Sequence, residues 1–141
     1  MMRSVVLTGA TSMIGCALIR ECLANGVRVV ALARSGSEKR SRLPDSPLLT
    51  LVECDLDRMQ ALDGQLVREA AGTDGIDCFY HFGWTDTDHA GRNSPEKQEL
   101  NIRYTLDAVA LAKRCGCLKF VGAGSQAEYG RSSVPLNAAV P

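Results

Sequence analysis

Short apolar runs alternate along this chain with longer stretches in which apolar positions recur every three or four residues. The first run covers 4–8, centred on Val5, Val6 and Leu7 and closing on Thr8-Gly9. Ile14, Leu18, Ile19 and Leu23 then recur at helical spacing. They predict a helix over 13–24, stopped by Asn25-Gly26. Residues 27–33 are rich in β-branched side chains and predict a second strand. Residues 35–47 are polar, basic and turn-rich, as in a loop or a short helix. A third strand is expected over 48–54, a helix over 57–71 and a fourth strand over 76–82. Residues 85–94 read as a surface loop. A long helix follows over 95–115, with Pro95 tolerated in its first turn, then a fifth strand over 118–123. The remainder has no clear periodicity.

This alternation predicts an α/β fold of one domain over 1–141, a doubly wound and mostly parallel sheet of five strands covered on both faces. A Rossmann-type and a flavodoxin-like winding both satisfy it, and periodicity alone does not separate them.

Composition narrows the function classes. The formal net charge is zero, so no basic excess points to nucleic acid or to an anionic membrane surface. No apolar run approaches the roughly 20 residues of a membrane span. The start of the chain lacks the pattern of a secretory leader, and a cytoplasmic location is expected. The six cysteines fall mostly inside apolar helix and strand patterns, so reduced, buried thiols are expected. Cys115 and Cys117 form C-x-C with no second ligand pair after it, and no metal site is expected.

The chemistry is concentrated in Thr8-Gly9-Ala10-Thr11-Ser12-Met13-Ile14-Gly15, between the first strand and the first helix. A turn of small residues there lets the backbone approach a pyrophosphate, and the amides and dipole of the helix N-terminus stabilise its charge. Gly9 permits the tight turn and Gly15 permits close packing of the helix.

This segment resembles the T-G-x-x-G-x-x-G cofactor loop of the short-chain dehydrogenase/reductase superfamily, especially its extended branch. That branch contains NAD(P)-dependent nucleotide-sugar epimerases, dehydratases and reductases. Ser12 stands where the pattern has its middle glycine, and a small hydroxyl there can donate to a phosphate. Further segments match in order. Asp55-Leu56 resembles the pair that contacts adenine, with an N-cap role for Asp55 as the plainer alternative. His81-Phe82-Gly83-Trp84 resembles the H-L-A-A segment that lines the cofactor. There His81 reads as structural and Trp84 as narrowing the pocket. Asn101 matches an asparagine near the central cofactor strands, or else is an exposed polar residue of the helix. Gly124-Ser125-Gln126-Ala127-Glu128-Tyr129-Gly130 resembles the segment whose serine bonds the reacting hydroxyl or carbonyl, so the resemblance makes Ser125 the catalytic candidate. Tyr129 belongs to the loop pattern, shaping the substrate mouth.

The resemblance implies a nucleotide-linked sugar as substrate of the full-length protein and hydride transfer at a sugar carbon. It also implies homodimerisation through two helices per subunit, one of them 95–115. The family's Tyr-x-x-x-Lys pair, which exchanges the proton as hydride moves, does not occur in these 141 residues. The expectation is therefore a truncated N-terminal half, without the catalytic helix or substrate domain, with little turnover by itself. Such truncation should leave the fifth strand's edge unpaired and favour self-association.

The second strand ends Ala31-Leu32-Ala33-Arg34-Ser35, with no acid to accept from a ribose 2′-hydroxyl. Arg34 can pair with a 2′-phosphate, and Lys39, Arg40 and Arg42 add positive charge nearby. NADP is favoured over NAD. Two other readings stand beside the enzyme: a non-catalytic NAD(P)-binding sensor, and a Rossmann methyltransferase, against which Asp55-Leu56 and the segment from Ser125 both argue.

Overall fold

The computed structural model describes residues 2–73, 75–125, 130 and 135. Its five strands are β1 (Ser4–Thr8), β2 (Arg28–Ala33), β3 (Leu49–Glu53), β4 (Cys78–His81) and β5 (Lys119–Gly122). Three α-helices connect them: α1 (Met13–Ala24), α2 (Gly64–Ala71) and α3 (Pro95–Arg114). All strand pairs are parallel and the order is β3-β2-β1-β4-β5. That order reverses at β1, which is the Rossmann winding and excludes the flavodoxin-like one.

Alternation along the strands divides the core in two. Val6, Val30, Leu32, Val52 and Phe79 face α2 and α3 and pack on Val67, Ala71, Ala108 and Leu111. Val5, Leu7, Val29, Ala31 and Cys78 face the other way and pack on Ile19 and Cys22 of α1. Phe79 is fully buried and its ring stacks on Phe120 at 5.7 Å. At full burial such a ring contributes about 1.5–3 kcal/mol. All six cysteines are free thiols, four of them buried.

The expected helix over 57–71 is two pieces. A 3-10 turn (Leu56–Arg58) comes first, and α2 begins only at Gly64. The restart is set by Asp63, whose carboxylate accepts from the Gln65 amide at 2.8 Å as an N-cap. Gly64 then sits against the Arg114 carbonyl, where a β-carbon would be crowded at 2.6 Å. Residues 35–47 carry one 3-10 turn (Glu38–Arg42). No helix among the described residues is long and apolar enough to cross a membrane.

Candidate functional site

A cavity of 710 Å³ opens at the carboxyl ends of the strands, beside β1, where the strand order reverses. Four connections wall it. Gly9, Ala10, Thr11, Ser12 and Met13 follow β1, and Leu32, Ala33 and Arg34 end β2. Cys54, Asp55, Leu56 and Asp57 follow β3. Phe82, Gly83, Trp84 and Thr85 follow β4.

The floor is the turn after β1. Gly9 has φ +68°, and a β-carbon there would overlap the Phe82 carbonyl. Gly15, one turn into α1, lies against the Gly9 carbonyl in the same way. The two glycines bring α1, the turn and the end of β4 into backbone contact. Ser12 caps α1: its Oγ accepts from the Gly15 amide at 3.0 Å. Its hydroxyl proton remains to be donated, so the serine in place of a glycine is compatible with an anion above the turn.

On the β3 side, Asp55 stands at the N-cap position of the 3-10 turn but makes no capping bond with its side chain, so its carboxylate is not used as a cap. Its Oδ1 is buried and has no hydrogen-bond partner among the described residues. A buried carboxylate oxygen without a donor is costly, and a donor brought by a ligand would relieve it. Beside it, burial pushes the Cys54 thiol up to about 11, which leaves it unreactive.

At the end of β2 the basic residues divide into two groups. Arg34, Lys39 and Arg42 line the cavity, with Ser37. Arg40 does not. Its guanidinium pairs with Glu53 at 2.7 Å and donates to the Arg34 carbonyl at 2.8 Å. Ser35 also donates to Glu53, at 3.2 Å. These partners hold the Glu53 carboxyl below its usual range. The expectation that Arg40 adds free positive charge is thus corrected: Glu53 neutralises it, and together they pin the 3-10 turn that carries Lys39 and Arg42. Sequence reading missed Glu53 because it lies at the end of β3, and only the pairing of β2 with β3 brings it there.

The β4 side is the most heavily bonded wall. Thr8 Oγ1 accepts from the Gly83 amide at 3.1 Å and lies 2.8 Å from His81 Nδ1. The ring's Nε2 faces Thr105 Oγ1 at 3.4 Å, and Thr105 donates to the Asn101 carbonyl at 2.9 Å. Burial pushes the imidazole below its ordinary range. Asn101 is 1% exposed, which corrects the reading of it as an exposed polar residue. Its side chain accepts from the Thr85 amide at 2.9 Å and donates to the Thr85 carbonyl at 3.0 Å. Gln98 accepts from the Trp84 indole at 3.1 Å. Asp86, the one positive-φ residue other than glycine among those described, is held by Lys97 at 2.8 Å. Residues 85–87, expected in a surface loop, line the cavity instead.

Of the candidate residues, Ile14, Gly15, Asn101 and Ser125 stand outside the lining. Ile14 is exposed on α1, Gly15 sits behind the turn and Asn101 behind Thr85. Ser125 lies beyond β5 on the exposed surface. Gln126, Ala127, Glu128 and Tyr129 lie outside the described residues.

The model of the NAD dependent epimerase/dehydratase family matches residues 5–140. Among curated proteins none matches. Solved structures similar to this one include the Bordetella bronchiseptica enzyme WbmH in complex with NAD+, at 24% identity and a TM-score of 0.73 over 100% of this chain and 46% of that one. WbmG from the same organism, in complex with NAD and UDP, aligns at 21% identity and a TM-score of 0.72 over 99% of this chain and 43% of that one. UDP-glucose 4-epimerase from Bifidobacterium longum, in complex with NAD+ and UDP, aligns at 20% identity and a TM-score of 0.72, over 98% and 42%. The chain spans less than half the length of each.

Proposed function

The chain belongs to the NAD dependent epimerase/dehydratase family, and from that premise we propose that it is the dinucleotide-holding half of an enzyme that acts on a nucleotide-linked sugar. One observation carries this reading. The glycine-floored cavity stands at the strand-order reversal, with an orphaned Asp55 oxygen on one wall and the Arg34, Lys39 and Arg42 cluster on another.

The lining fits the cofactor. Gly9 and the α1 N-terminus, with Thr11, Ser12 and Met13, would hold the pyrophosphate. Asp55 would accept from the adenine amino group, with Leu56 against the ring. Phe82, Gly83 and Trp84 would form the wall beside the ribose, continued by Thr85, which Asn101 holds from behind. Arg34, with Lys39 and Arg42, would hold a 2′-phosphate, which favours NADP over NAD. When bound, the cofactor supplies reversible hydride transfer at a sugar carbon. This chain's contribution is to bind and orient it, while Ser125 would hold the reacting hydroxyl or carbonyl of the sugar. The 141 residues contain no Tyr-x-x-x-Lys, so by themselves they should turn over little substrate. The outer face of α3 exposes Ile102, Leu106 and Val109 at helical spacing, which supports homodimerisation there.

Titration with NADPH and NADH tests this proposal. Trp84 is the sole tryptophan and lines the cavity, so energy transfer from it to the dihydronicotinamide is a direct signal. Saturable binding, tighter for NADPH, is expected. Binding of neither overturns the assignment; tighter NADH overturns the role of Arg34.

A further inference from the structure

We infer that His81 is a positioning residue: as a neutral imidazole it couples β1 to α3 and thereby fixes Gly83 and Thr85, the inner strip of the cavity wall. The inference rests on the proposed reading of that cavity as the cofactor site.

The direction of each hydrogen bond carries the argument. The Gly83 amide donates to Thr8 Oγ1. Thr8 has one proton of its own, and His81 Nδ1 stands 2.8 Å away to accept it. The ring proton is then on Nε2, facing Thr105 Oγ1. Thr105 passes the direction on by donating to the Asn101 carbonyl, and the Asn101 side chain grips Thr85 at both its amide and its carbonyl. Each hydroxyl in the series donates once and accepts once. With the opposite tautomer, Thr8 Oγ1 would receive two N–H donors. Its own proton would then need another acceptor where Thr8 and His81 are 1% and 3% exposed.

Among the described residues, the groups that face the ring are Thr8 from β1, Thr105 from α3 and the Phe120 ring from β5, at 6.2 Å, none of them charged. Burial alone accounts for the lowered basicity of the imidazole. A second ring proton would set a donor on Nδ1 against the Thr8 proton. Acid therefore releases the link between Thr8 and His81 and frees Gly83 to shift, while the bonds on the Nε2 side, through Thr105 and Asn101 to Thr85, stay in place.

The test uses the 141-residue chain, labelled with ¹⁵N and free of ligand, and follows the His81 ring nitrogens and the Gly83 and Thr85 amides from neutral to acid pH. The expected result is an Nε2–H tautomer at neutral pH, with the Gly83 amide shifting along the ring's titration and the Thr85 amide moving little. In parallel, Thr105→Val should weaken NADPH binding about threefold to tenfold and Thr105→Ser should restore it. An Nδ1–H tautomer, or a Gly83 amide indifferent to the ring's titration, overturns the inference. If the unmodified chain binds neither dinucleotide, the proposed function falls and the ligand-free spectra decide the role of His81.

Discussion

Gly15 and Gly9 meet backbone to backbone: a β-carbon on Gly15 would overlap the Gly9 carbonyl oxygen and crowd Ala10 at 2.9 Å. Neither neighbour is the end of a flexible side chain, so any larger residue must displace the turn itself.

Gly15→Val should therefore cost about 1–3 kcal/mol of stability and abolish dinucleotide binding. Urea unfolding and the NADPH titration measure the two effects. Gly75→Ala is the control, because its β-carbon would meet nothing within 4 Å. A Gly15 variant as stable as the Gly75 variant would contradict the close approach.

Asp55→Asn should separate stability from binding. Among the described residues the Asp55 Oδ1 has no partner to lose, so the unfolding midpoint should hold or rise. Dinucleotide affinity should fall about tenfold to a hundredfold, as for a lost charged hydrogen bond. Unchanged affinity would remove Asp55 from the site.

Arg34→Glu should reverse the cofactor preference. Charge reversal removes a guanidinium from the 2′-phosphate and supplies a carboxylate to a ribose hydroxyl. The ratio of NADPH to NADH affinity should drop by at least about tenfold. Glu53→Gln should act more weakly on the same ratio, by loosening the turn that carries Lys39 and Arg42. Equal affinity ratios in Arg34→Glu and the parent chain would end the assignment.

Stability should fall in acid in two windows. The folded pKa of His81 is lowered, so the unfolded chain takes up the proton first. Its contribution is complete above about pH 6.5, is lost as pH falls through that value, and levels off below the folded pKa. Glu53, Asp77 and Asp86 are also lowered in the fold, but as carboxylates they act in the lower window. Asp77 accepts from the Arg3 and Ser4 amides and so ties the start of β1 to β4. Urea midpoints at neutral and mildly acid pH measure the upper window, which Asp77→Asn should leave in place.

The strands, α1 and α3 are legible in the sequence because each carries its own periodicity and its own stop. Residues 57–71 were harder, because helical spacing of apolar positions runs through a point where Asp63 and Gly64 start a new helix. Most of the turn after β1 and the lining from Arg34 to Trp84 follow from local motifs. What stays hidden in one dimension is set by strand register. Thr8 lies opposite His81 in the pairing of β1 with β4, and Ala33 opposite Glu53 in that of β2 with β3. Neither pair is marked by any spacing along the chain. One signal was available: Gln98, Asn101 and Thr105 fall on one side of a helix whose buried apolar residues include Ala108 and Leu111. A polar row beside an apolar one marks a helix that must satisfy hydrogen bonds inside the molecule.

The parallel sheet also divides the molecule into two ends that differ in how much change their geometry admits. Because every strand runs the same way, all four walls of the cavity gather at one end, and the turns that enter β2 and β5 lie at the other. There Gly26 and Gly116 have open space around them, with nothing within 4 Å of an added β-carbon. Dyes, affinity tags or short insertions grafted at that end would leave the cavity's geometry alone, whereas length changes after β1, β3 or β4 would rebuild it. Among sequences sharing this fold, indels should therefore accumulate at the amino edge of the sheet and be scarce at the carboxyl edge.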